Sequence, residues 1–386
     1  MAIKKKRICV ITGSRAEYGL LRKLIAQIEK DKTLKLQLLV TGSHLEKKYG
    51  YTIREIEKDN FLIDAKIKIH EKDVESYPNI VSKGIKGISS EISKLKPDLV
   101  LLLGDRYEIF SAAIAAFFLQ APIAHIHGGE VTLGSMDEII RHAITKMSHI
   151  HFVAAEEYKK RVIQLGEDPS KVFNVGGLGV DVIRQTKLTS KNKLEKELGI
   201  NFKKTNFLVT VHPETNKKDL SNKLIKNLIA SLTSFKDTLA IFTLPNSDLG
   251  NQKIREIIVS HVRNHPDNSY YFDSLGIKTY SSIINQVDLV IGNSSSGLLE
   301  APFLQVPSLN IGIRQTGRLK AKSVFDSGYE TEEIERKINK ILNQSSQDLI
   351  SYSDNPYGDG GATDKILDIL KKIEIPTSLE KSFFDL

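Results

Sequence analysis

The sequence predicts an α/β protein built from two doubly wound domains that face a cleft. Its 386 residues are too many for one ordinary core and suit two domains of roughly 150–200 residues. Short apolar, β-branched runs alternate with helix-length amphipathic stretches, which is typical of βαβ units around a parallel sheet buried on both faces. The alternation restarts after about residue 200, so each half is expected to form its own Rossmann-like sheet.

The first domain is predicted over residues 1–177. Its expected strands are followed by glycine, a small polar residue or a charged residue, and most of them lead into a helical pattern. These strands are Arg7–Thr12, Leu36–Thr41, Asp64–Ile69, Asp98–Leu103, Ala121–His127, His149–Ala154 and Lys171–Val175. The glycines of the segment Gly176–Gly179 indicate a hinge after the last strand.

The second domain is predicted over residues 178–365. It begins with a lysine-rich helical stretch, Ser190–Leu198, and then repeats the alternation of strands and helices. The expected strands are Asn206–Val211, Leu239–Thr243, Tyr270–Phe272, Asp288–Ile291 and Ser308–Ile311. Because ligands of doubly wound sheets bind beyond the carboxyl ends of the strands, the residues that follow each strand are candidate site residues.

The composition argues against a nucleic-acid-binding or membrane protein. The net charge of +8 comes from 55 basic and 47 acidic residues, but the lysines are scattered and form no basic stripe interleaved with aromatic residues. The longest apolar stretch, Ile109–Ala124, is interrupted by polar residues and proline and is shorter than the ~20 apolar residues of a membrane span. A single cysteine, Cys9, and the short apolar run after the basic start predict a cytoplasmic protein without a signal peptide.

The turn after the first expected strand carries a candidate phosphate contact. Ser14 and Glu17 have the spacing of a capping box at a helix start. Gly13 would let the backbone approach a phosphate at that helix N-terminus, and Arg15 would add a charge-assisted contact. The alternative interpretation is an ordinary strand-to-helix turn with a surface arginine.

Acidic residues follow the next two central strands. Asp105 and Arg106 come directly after the strand Asp98–Leu103, where Asp105 either faces a ligand or caps the following helix. Glu130 follows the paired glycines Gly128-Gly129, which suggest a backbone that approaches a ligand rather than one that packs against the protein. We therefore expect carboxylates at this edge of the first sheet.

A helical stretch after Glu130 adds further acidic and basic side chains. The i,i+4 spacing places Glu138 and His142 on one helix face, with Asp137 near Arg141. These residues are either a second part of the carboxylate site or a solvent-exposed set of ion pairs.

The strand ends of the second half carry hydroxyl groups, a histidine and arginines. His212 ends one strand before a proline, and Asn246 follows the next strand. The candidates further along the chain are Ser294, Ser295, Glu300 and Arg314. Serine hydroxyls and backbone N–H groups suit a phosphate, a carboxylate just beyond them suits ribose hydroxyls, and arginine suits a diphosphate. The open alternative for the serines is a turn that merely caps a helix.

Sorted by half, these residues predict two different chemistries. The second half suits a nucleoside diphosphate, whereas the carboxylates Asp105, Glu130, Asp137 and Glu138 of the first half suit proton transfers on an uncharged sugar. Paired carboxylates in a partly dry site can have their pKa values pushed apart, so that one serves as base and one as acid. No metal is expected, because the histidine pairs of the first half lack a cysteine partner.

Four motifs together resemble the UDP-N-acetylglucosamine 2-epimerase family from about Arg7 to about residue 370. They are Gly-Ser-Arg-Ala-Glu-Tyr at 13–18, Gly-Asp-Arg-Tyr-Glu at 104–108, His-Ile-His-Gly-Gly-Glu at 125–130 and Arg-His-Ala-Ile-Thr-Lys at 141–146. Their form is similar to the hydrolysing branch, which serves bacterial sialic-acid and related nonulosonate synthesis. The non-hydrolysing branch typically has His-Val-Glu-Ala-Gly in place of the end of the third motif.

The resemblance implies a GT-B-like fold, with residues 366–386 forming a C-terminal helix and tail that pack back on the first domain. It implies hydrolysis of UDP-N-acetylglucosamine to N-acetylmannosamine and UDP, by elimination to 2-acetamidoglucal and hydration, without a cofactor. The implied UDP contacts are Arg15, His212, Ser294, Ser295, Glu300 and Arg314. The implied acid–base positions are Asp105, Glu130 and either Asp137 or Glu138, with His212 steering the leaving phosphate. Arg106, His142 and Asn246 are expected to contact other parts of the substrate.

Several alternatives stay open at this point. The hydrolysing branch also includes enzymes for UDP- or GDP-2,4-diacetamido-2,4,6-trideoxyglucose on the way to legionaminic acid. A GT-B glycosyltransferase, a non-hydrolysing epimerase and a nucleotide-sugar sensor would share the architecture. The resemblance implies a homodimer or homotetramer. It also implies that the substrate is a small nucleotide sugar.

Overall fold

The computed structural model describes residues 5–70, 76–132, 136–214, 218–245, 251–344, 355–376 and 380–386. The chain divides into two compact units. Unit 1 holds the described residues up to Glu130, from Met136 to Val182 and from Gly360 onward, and unit 2 holds those from Ile183 to Asp359 together with 131–132. The domain boundaries predicted from the sequence follow residues 177 and 365, whereas the main boundaries between the units lie at 182/183 and 359/360.

Unit 1 contains a parallel sheet of seven strands in the order β3-β2-β1-β4-β5-β6-β7. The strands are β1 Lys6–Thr12, β2 Leu34–Thr41, β3 Ala65–Ile67, β4 Leu99–Leu103, β5 Ile123–Ile126, β6 Ile150–Val153 and β7 Val172–Asn174. The side chains of β4 are buried along its whole length, as expected for a central parallel strand covered on both faces. The strand order reverses between β1 and β4, and this switch point is where doubly wound sheets bind ligands.

Helices cover both faces of this sheet. They are α1 Arg15–Lys30, α2 Ile53–Lys58, α3 Tyr77–Leu95, α4 Tyr107–Phe118, α5 Met136–Met147, α6 Glu156–Gln164 and α7 Leu178–Gln185. α1 and α2 bury their apolar stripes against one face, and α3, α4 and α5 bury theirs against the other. Short 3₁₀ turns are formed by Gly42–Leu45, Lys47–Tyr49 and Pro169–Lys171. The segment Gly176–Gly179, predicted as a hinge, runs into the first turn of α7.

Unit 2 contains a parallel sheet of six strands in the order β10-β9-β8-β11-β12-β13. The strands are β8 Thr205–Thr210, β9 Thr238–Thr243, β10 Ser269–Phe272, β11 Leu289–Gly292, β12 Ser308–Ile311 and β13 Val324–Ser327. The helices are α8 Lys191–Leu198, α9 Lys218–Thr233, α10 Asn251–Asn264, α11 Gly276–Ile284, α12 Glu300–Phe303 and α13 Thr331–Leu342, with a 3₁₀ turn at Ser295–Gly297. The edge strand β13 is an addition to the strands that the sequence predicts.

The last helix, α14 Ala362–Lys372, belongs to unit 1. Its buried residues Ile366 and Leu370 lie in the apolar cluster that also contains much of α1. Asp181 fixes its start by accepting hydrogen bonds from the backbone N–H groups of Gly361 (2.7 Å) and Thr363 (2.9 Å). These bonds satisfy donors that a helix N-terminus leaves unpaired.

The apolar stretch near residue 109 is a helix of unit 1. Ile109 and several alanines of α4 are fully buried in the core, whereas Phe118 at its end is 77% exposed. Within the described ranges, no helix is long and apolar enough to cross a membrane.

Candidate active site

A buried arginine organises the carboxylates at the edge of the unit 1 sheet. The side chain of Arg141, on α5, is 2% exposed and donates to the Asp105 carboxylate, to Oε2 of Glu138 (2.9 Å) and to the carbonyl of Glu130 (2.8 Å). Burial alone would lower the pKa of Arg141, but the charges of Asp105 and Glu130 outweigh it and raise the pKa. Arg141 therefore links three segments, which are the turn after β4, the turn after β5 and α5.

Glu130 is also bound by a histidine of its own turn. Nδ1 of His127 lies 3.3 Å from Oε1 of Glu130, and the backbone N–H of Leu178 donates to Nε2 of the same ring (3.4 Å). Because Nε2 accepts, the geometry assigns the proton of a neutral imidazole to Nδ1, which then donates to the carboxylate. His127 adopts a left-handed backbone conformation (φ +66°) that turns its ring toward Glu130.

The paired glycines before Glu130 have a packing role that the sequence does not predict. A Cβ on Gly129, where φ is +77°, would lie 2.5 Å from the carbonyl oxygen of Tyr158 on α6. A Cβ on Gly128 would lie 2.9 Å from Oγ1 of Thr145 on α5. The backbone of this turn is thus pressed between two helices, and its glycines allow that close approach.

Glu138, in the first turn of α5, contacts two basic residues of the same helix. Glu138 and His142 meet as their spacing predicts, with Nε2 of His142 3.2 Å from Oε1 of Glu138. Glu138 also pairs with Arg141, the residue that the sequence places near Asp137. Asp137 lies in the first turn of α5 and is partly buried.

The turn after β1 forms a variant of the predicted capping box, in which the Glu17 side chain binds the N–H of Gly13 instead of that of Ser14. Ser14 Oγ accepts from the N–H of Glu17 (3.4 Å), and the N–H of Gly13 donates to Oε2 of Glu17 (2.9 Å). A Cβ on Gly13 would lie 2.1 Å from Cγ of Glu108, so the space beside this glycine is filled by a side chain of α4. Arg15 pairs with Glu55 at 3.2 Å, and both side chains are half exposed.

The start of α4 settles one alternative for Asp105. The residue at the cap position of this helix is Arg106, so Asp105 is not the cap. Nε of Arg106 donates to Oε1 of Glu108 at 2.9 Å and lies 3.9 Å from Oε1 of Glu17. Arg106 is a predicted substrate contact, whereas its two carboxylate neighbours are not among the residues predicted for the site.

In unit 2, an asparagine outside the predicted set of site residues fixes His212. Oδ1 of Asn293 accepts from the backbone N–H of His212 (2.7 Å), and its Nδ2 donates to the carbonyl of His212 (2.9 Å). The carbonyl of Asn293 accepts from Nη1 of Arg314 (3.1 Å). Burial, and next the charge of Arg314, lower the pKa of His212 to about 3, so its imidazole is neutral at physiological pH.

The serine turn after β11 is supported by a chain of hydroxyl groups. Ser294 caps the 3₁₀ turn by accepting from the N–H of Ser296 (3.4 Å), which agrees with the capping alternative for this residue. Tyr280 Oη lies 2.6 Å from Oγ of Ser296, and Ser296 Oγ donates to Oγ of Ser294 (3.2 Å). Ser295 is partly buried in the same turn. The hydroxyls of Ser294 and Ser296 are thereby held in a defined orientation.

Glu300 begins α12, close behind the serine turn. Its Oε2 is buried and has no hydrogen-bond partner among the described residues. Burial raises the pKa of Glu300 to about 7. A buried carboxylate oxygen without a donor is an acceptor that a ligand hydroxyl can satisfy.

The structure groups the predicted residues by unit. In unit 1 it brings together Asp105, Glu130 and Glu138 with His142 close by; in unit 2 it joins His212 to Arg314 through Asn293. Asn246 lies outside the described residues. No group of three or more potential metal ligands is found in the described part of the chain.

Comparison with known proteins places this geometry in context. Residues 26–371 match the UDP-N-acetylglucosamine 2-epimerase family. The chain is 39% identical to a GDP/UDP-N,N'-diacetylbacillosamine 2-epimerase (hydrolyzing) of Campylobacter jejuni, over 100% of both chains. It is 40% identical to polysialic acid biosynthesis protein P7 of Escherichia coli, over 99% of this chain and 98% of that protein. A crystal structure of UDP-GlcNAc 2-epimerase from Neisseria meningitidis bound to UDP-GlcNAc has 20% identity and a TM-score of 0.82, covering 95% of this chain and 100% of that one, and confirms the two-domain α/β fold.

Proposed function

This chain belongs to the UDP-N-acetylglucosamine 2-epimerase family, in its hydrolysing branch, and from that premise we propose that it converts UDP-N-acetylglucosamine and water to N-acetylmannosamine and UDP. The observation that carries the proposal is the carboxylate cluster of unit 1, where Asp105, Glu130 and Glu138 lie around Arg141. Removal and return of a proton at carbon requires positioned carboxylates. A glycosyltransferase removes no proton from a sugar carbon.

The carbon-centred steps are assigned to Glu130 and Asp105. In the first step a carboxylate removes the proton from C2 of the sugar while the C1–O bond to UDP breaks, which leaves 2-acetamidoglucal. In the second step the oxygen of water bonds to C1 and a proton bonds to C2 from the opposite face, which inverts C2. The His127 hydrogen bond to Glu130 and the Arg141 contact to Asp105 hold these carboxylates in place as base and acid.

The nucleotide is assigned to unit 2. The neutral imidazole of His212 suits donation of one hydrogen bond to the leaving phosphate, and Arg314 adds positive charge to the diphosphate. The hydroxyls of Ser294 and Ser295 suit the phosphate oxygens, and the Oε2 atom of Glu300 suits a ribose hydroxyl. Arg15 is proposed as a further UDP contact, and Arg106, His142 and Asn246 as contacts to the rest of the substrate. Asp137 or Glu138 is proposed as a third acid–base position.

A second substrate is favoured by one specific observation. The full-length identity of 39% to a hydrolysing GDP/UDP-N,N'-diacetylbacillosamine 2-epimerase supports the same chemistry on UDP- or GDP-2,4-diacetamido-2,4,6-trideoxyglucose. The 40% identity to a polysialic acid biosynthesis protein supports the UDP-N-acetylglucosamine assignment. The two substrates differ at C4 and C6 of the sugar, far from the bonds that react.

The deciding experiment offers each donor without an acceptor, in deuterated water with EDTA, and follows the products by proton NMR. Free N-acetylmannosamine with deuterium at C2, together with UDP, is expected. Turnover of the diacetamido donors alone would transfer the assignment to that substrate. Recovery of UDP-N-acetylmannosamine without free UDP would contradict hydrolysis.

The variant Glu130→Gln tests the assigned base. We expect it to bind UDP like the wild type and to lose roughly 10²–10⁴-fold in kcat, the usual contribution of one general acid or base. The matched control is Glu157→Gln on the exposed face of α6, which is expected to keep wild-type turnover. Full activity in Glu130→Gln would remove Glu130 from the mechanism.

We also propose a cytoplasmic homodimer or homotetramer that binds no nucleic acid. The buried, unpaired Cys9 supports a reducing compartment. The exposed side chains of Phe117 and Phe118 at the end of α4 support an interface between subunits. Light scattering of the purified protein measures the subunit number, and a monomer would contradict this part of the proposal.

A further inference from the structure

Two buried glutamates from different helices lie beside one arginine at the switch point of the unit 1 sheet. Glu17 is in the first turn of α1 and is 7% exposed, and Glu108 is in the first turn of α4 and is fully buried. Nε of Arg106 lies 2.9 Å from Oε1 of Glu108 and 3.9 Å from Oε1 of Glu17. Oε2 of Glu108 and Oε1 of Glu17 have no hydrogen-bond partner among the described residues.

The surrounding backbone is shaped around this pair. Gly13 leaves room for Glu108, since a Cβ there would lie 2.1 Å from the Cγ atom of that side chain. Gly42, with φ +60°, follows β2, and a Cβ on it would lie 2.5 Å from the carbonyl oxygen of Gly13 and 3.2 Å from Oε1 of Glu108. Two turns that follow strands therefore enclose the carboxylate of Glu108. Burying a carboxylate costs free energy, so this burial indicates a functional role for Glu108.

The charges near the pair do not balance if both glutamates are ionised. One guanidinium then faces two buried carboxylates, and like charges in such a site raise the pKa of one of them. Burial, followed by the charge of Glu108, raises the pKa of Glu17 to about 8 against the opposing effect of Arg106. A proton held by Glu17 would give the pair a single negative charge that matches the arginine.

The other titratable groups nearby do not supply the missing charge. Burial raises the pKa of Tyr107, so its hydroxyl stays protonated at neutral pH. Burial lowers the pKa of His44 to about 4, and this neutral ring lies between the hydroxyls of Thr12 (3.2 Å) and Thr52 (2.8 Å). Arg15, the nearest further cation along the chain, pairs with a glutamate of α2.

We propose that Glu17 holds a proton at neutral pH and that Glu17 and Glu108 act together as a positioning pair for Arg106. The Nε atom of Arg106 contacts this pair, and the arginine side chain stays 41% exposed beside the segment that carries Asp105. The inference rests on the proposed function, in which Arg106 contacts the anionic nucleotide sugar. Loss of the proton from Glu17 adds a negative charge next to that substrate and weakens its binding.

The test compares the pH dependence of kcat/KM in three variants. Wild-type kcat/KM is expected to fall about tenfold per pH unit above pH 8. Glu17→Gln has no proton to lose, so its kcat/KM is expected to show no fall between pH 8 and 9.5, where Glu300 is already mostly ionised. Glu108→Gln removes the like charge beside Glu17, so the pKa of Glu17 and the alkaline fall should move to lower pH. The double variant leaves Arg106 without a carboxylate, and its kcat/KM should fall at least about tenfold below either single variant, mainly through KM.

The matched control is Glu29→Gln, on the exposed side of α1, which should keep the alkaline fall of the wild type. An alkaline fall that persists unchanged in both single variants would overturn the proposal. If each single variant lost as much activity as the double variant, the role of the pair would be purely structural and the proposal would be wrong.

A second measurement is independent of turnover and separates this inference from the proposed function. Infrared spectra are recorded on the Glu300→Gln protein labelled with ¹³C at the glutamate carboxyl groups, because Glu300 would itself be partly protonated at pH 7. This protein should show a protonated carboxyl band at pH 7 that disappears on titration to pH 10. The band should be absent when Glu17→Gln is added, and its disappearance should move to lower pH when Glu108→Gln is added. If no donor is turned over but this pattern is seen, the proposed function fails and the proton on Glu17 stands; absence of the band from the Glu300→Gln protein refutes that proton.

Discussion

The affinity for UDP should depend on the ionisation of Glu300. Burial raises the pKa of this carboxyl to about 7 against the opposing effects of its own backbone N–H and of Arg318, so a large share of the ligand-free protein holds it protonated. A ribose hydroxyl that donates to Oε2 favours the carboxylate, which makes the ionised protein the binding-competent form. The apparent dissociation constant then rises as the ionised fraction falls.

The magnitude follows from the pKa. With a value of about 7, the ionised fraction is about 0.9 at pH 8 and about 0.1 at pH 6, so the Kd of UDP should be about tenfold higher at pH 6. The variant Glu300→Gln keeps the shape of the side chain and removes the titration. Its Kd should change with pH only as the ionisation of UDP itself dictates. His212 adds nothing in this range, because its pKa of about 3 keeps it neutral throughout.

Isothermal titration calorimetry of UDP from pH 6 to pH 8 measures both proteins. The quantity to compare is the ratio of the wild-type Kd to the variant Kd at each pH, since the ionisation of UDP cancels in that ratio. A ratio that falls about tenfold as pH rises supports the assignment of Glu300 to the ribose. An identical pH dependence in both proteins would refute it.

Two further predictions concern stability. Gly292→Ala places a Cβ 1.9 Å from the carbonyl of Thr210 at φ +136°, and we expect the opening free energy of the β8 and β11 amides, measured by hydrogen exchange, to fall by at least about 3 kcal/mol. Gly297→Ala, with its nearest contact at 3.5 Å, should cost less than about 1 kcal/mol, and equal losses would contradict the steric argument. Burial would raise the pKa of Glu167, but His151, Lys146 and Lys381 lower it to about 2. The ionised carboxylate therefore contributes about 3 kcal/mol to the free energy of unfolding. This contribution is present above pH 4.5 and is lost as pH falls toward 2. The thermal midpoint of Glu167→Gln should therefore be lower than that of the wild type at pH 6 and should depend less on pH between 6 and 3; equal slopes would refute this.

The fold could be predicted largely because its strands are buried on both faces. Central strands such as β1 and β4 are continuous apolar runs between polar turns, and few structures besides a buried parallel sheet produce this pattern. The edge strand β13 could not be predicted because its four residues are mostly partly exposed and include Asp326, whose carboxylate accepts a hydrogen bond from Asn310 on β12 (2.7 Å). An edge strand has no second apolar neighbour, so its sequence carries little of the signal.

The candidate site was predictable as a set of residue types but not as a set of contacts. Spacing along a helix predicted the meeting of Glu138 and His142, since both are on one element. The contact of Arg141 with Asp105 joins residues of two different elements, and no local pattern encodes it. The packing role of two glycines could not be predicted for the same reason. Gly13 makes room for Glu108, and Gly129 makes room for the backbone of α6, and both neighbours are distant in sequence.

The carboxylates of the two units differ in their partners, and this difference bears on the roles proposed for the two units. In unit 1 several carboxylates form ion pairs, Asp105 and Glu138 with Arg141, and Glu108 with Arg106, although Oε2 of Glu108 has no hydrogen-bond partner among the described residues. Such a site can move a proton on an uncharged sugar with little reorganisation. In unit 2 the buried Oε2 of Glu300 lacks a donor among the described residues. Under the proposed function a ribose hydroxyl would satisfy this oxygen, so substitutions in unit 2 should act first on nucleotide affinity, whereas substitutions in unit 1 should act first on turnover.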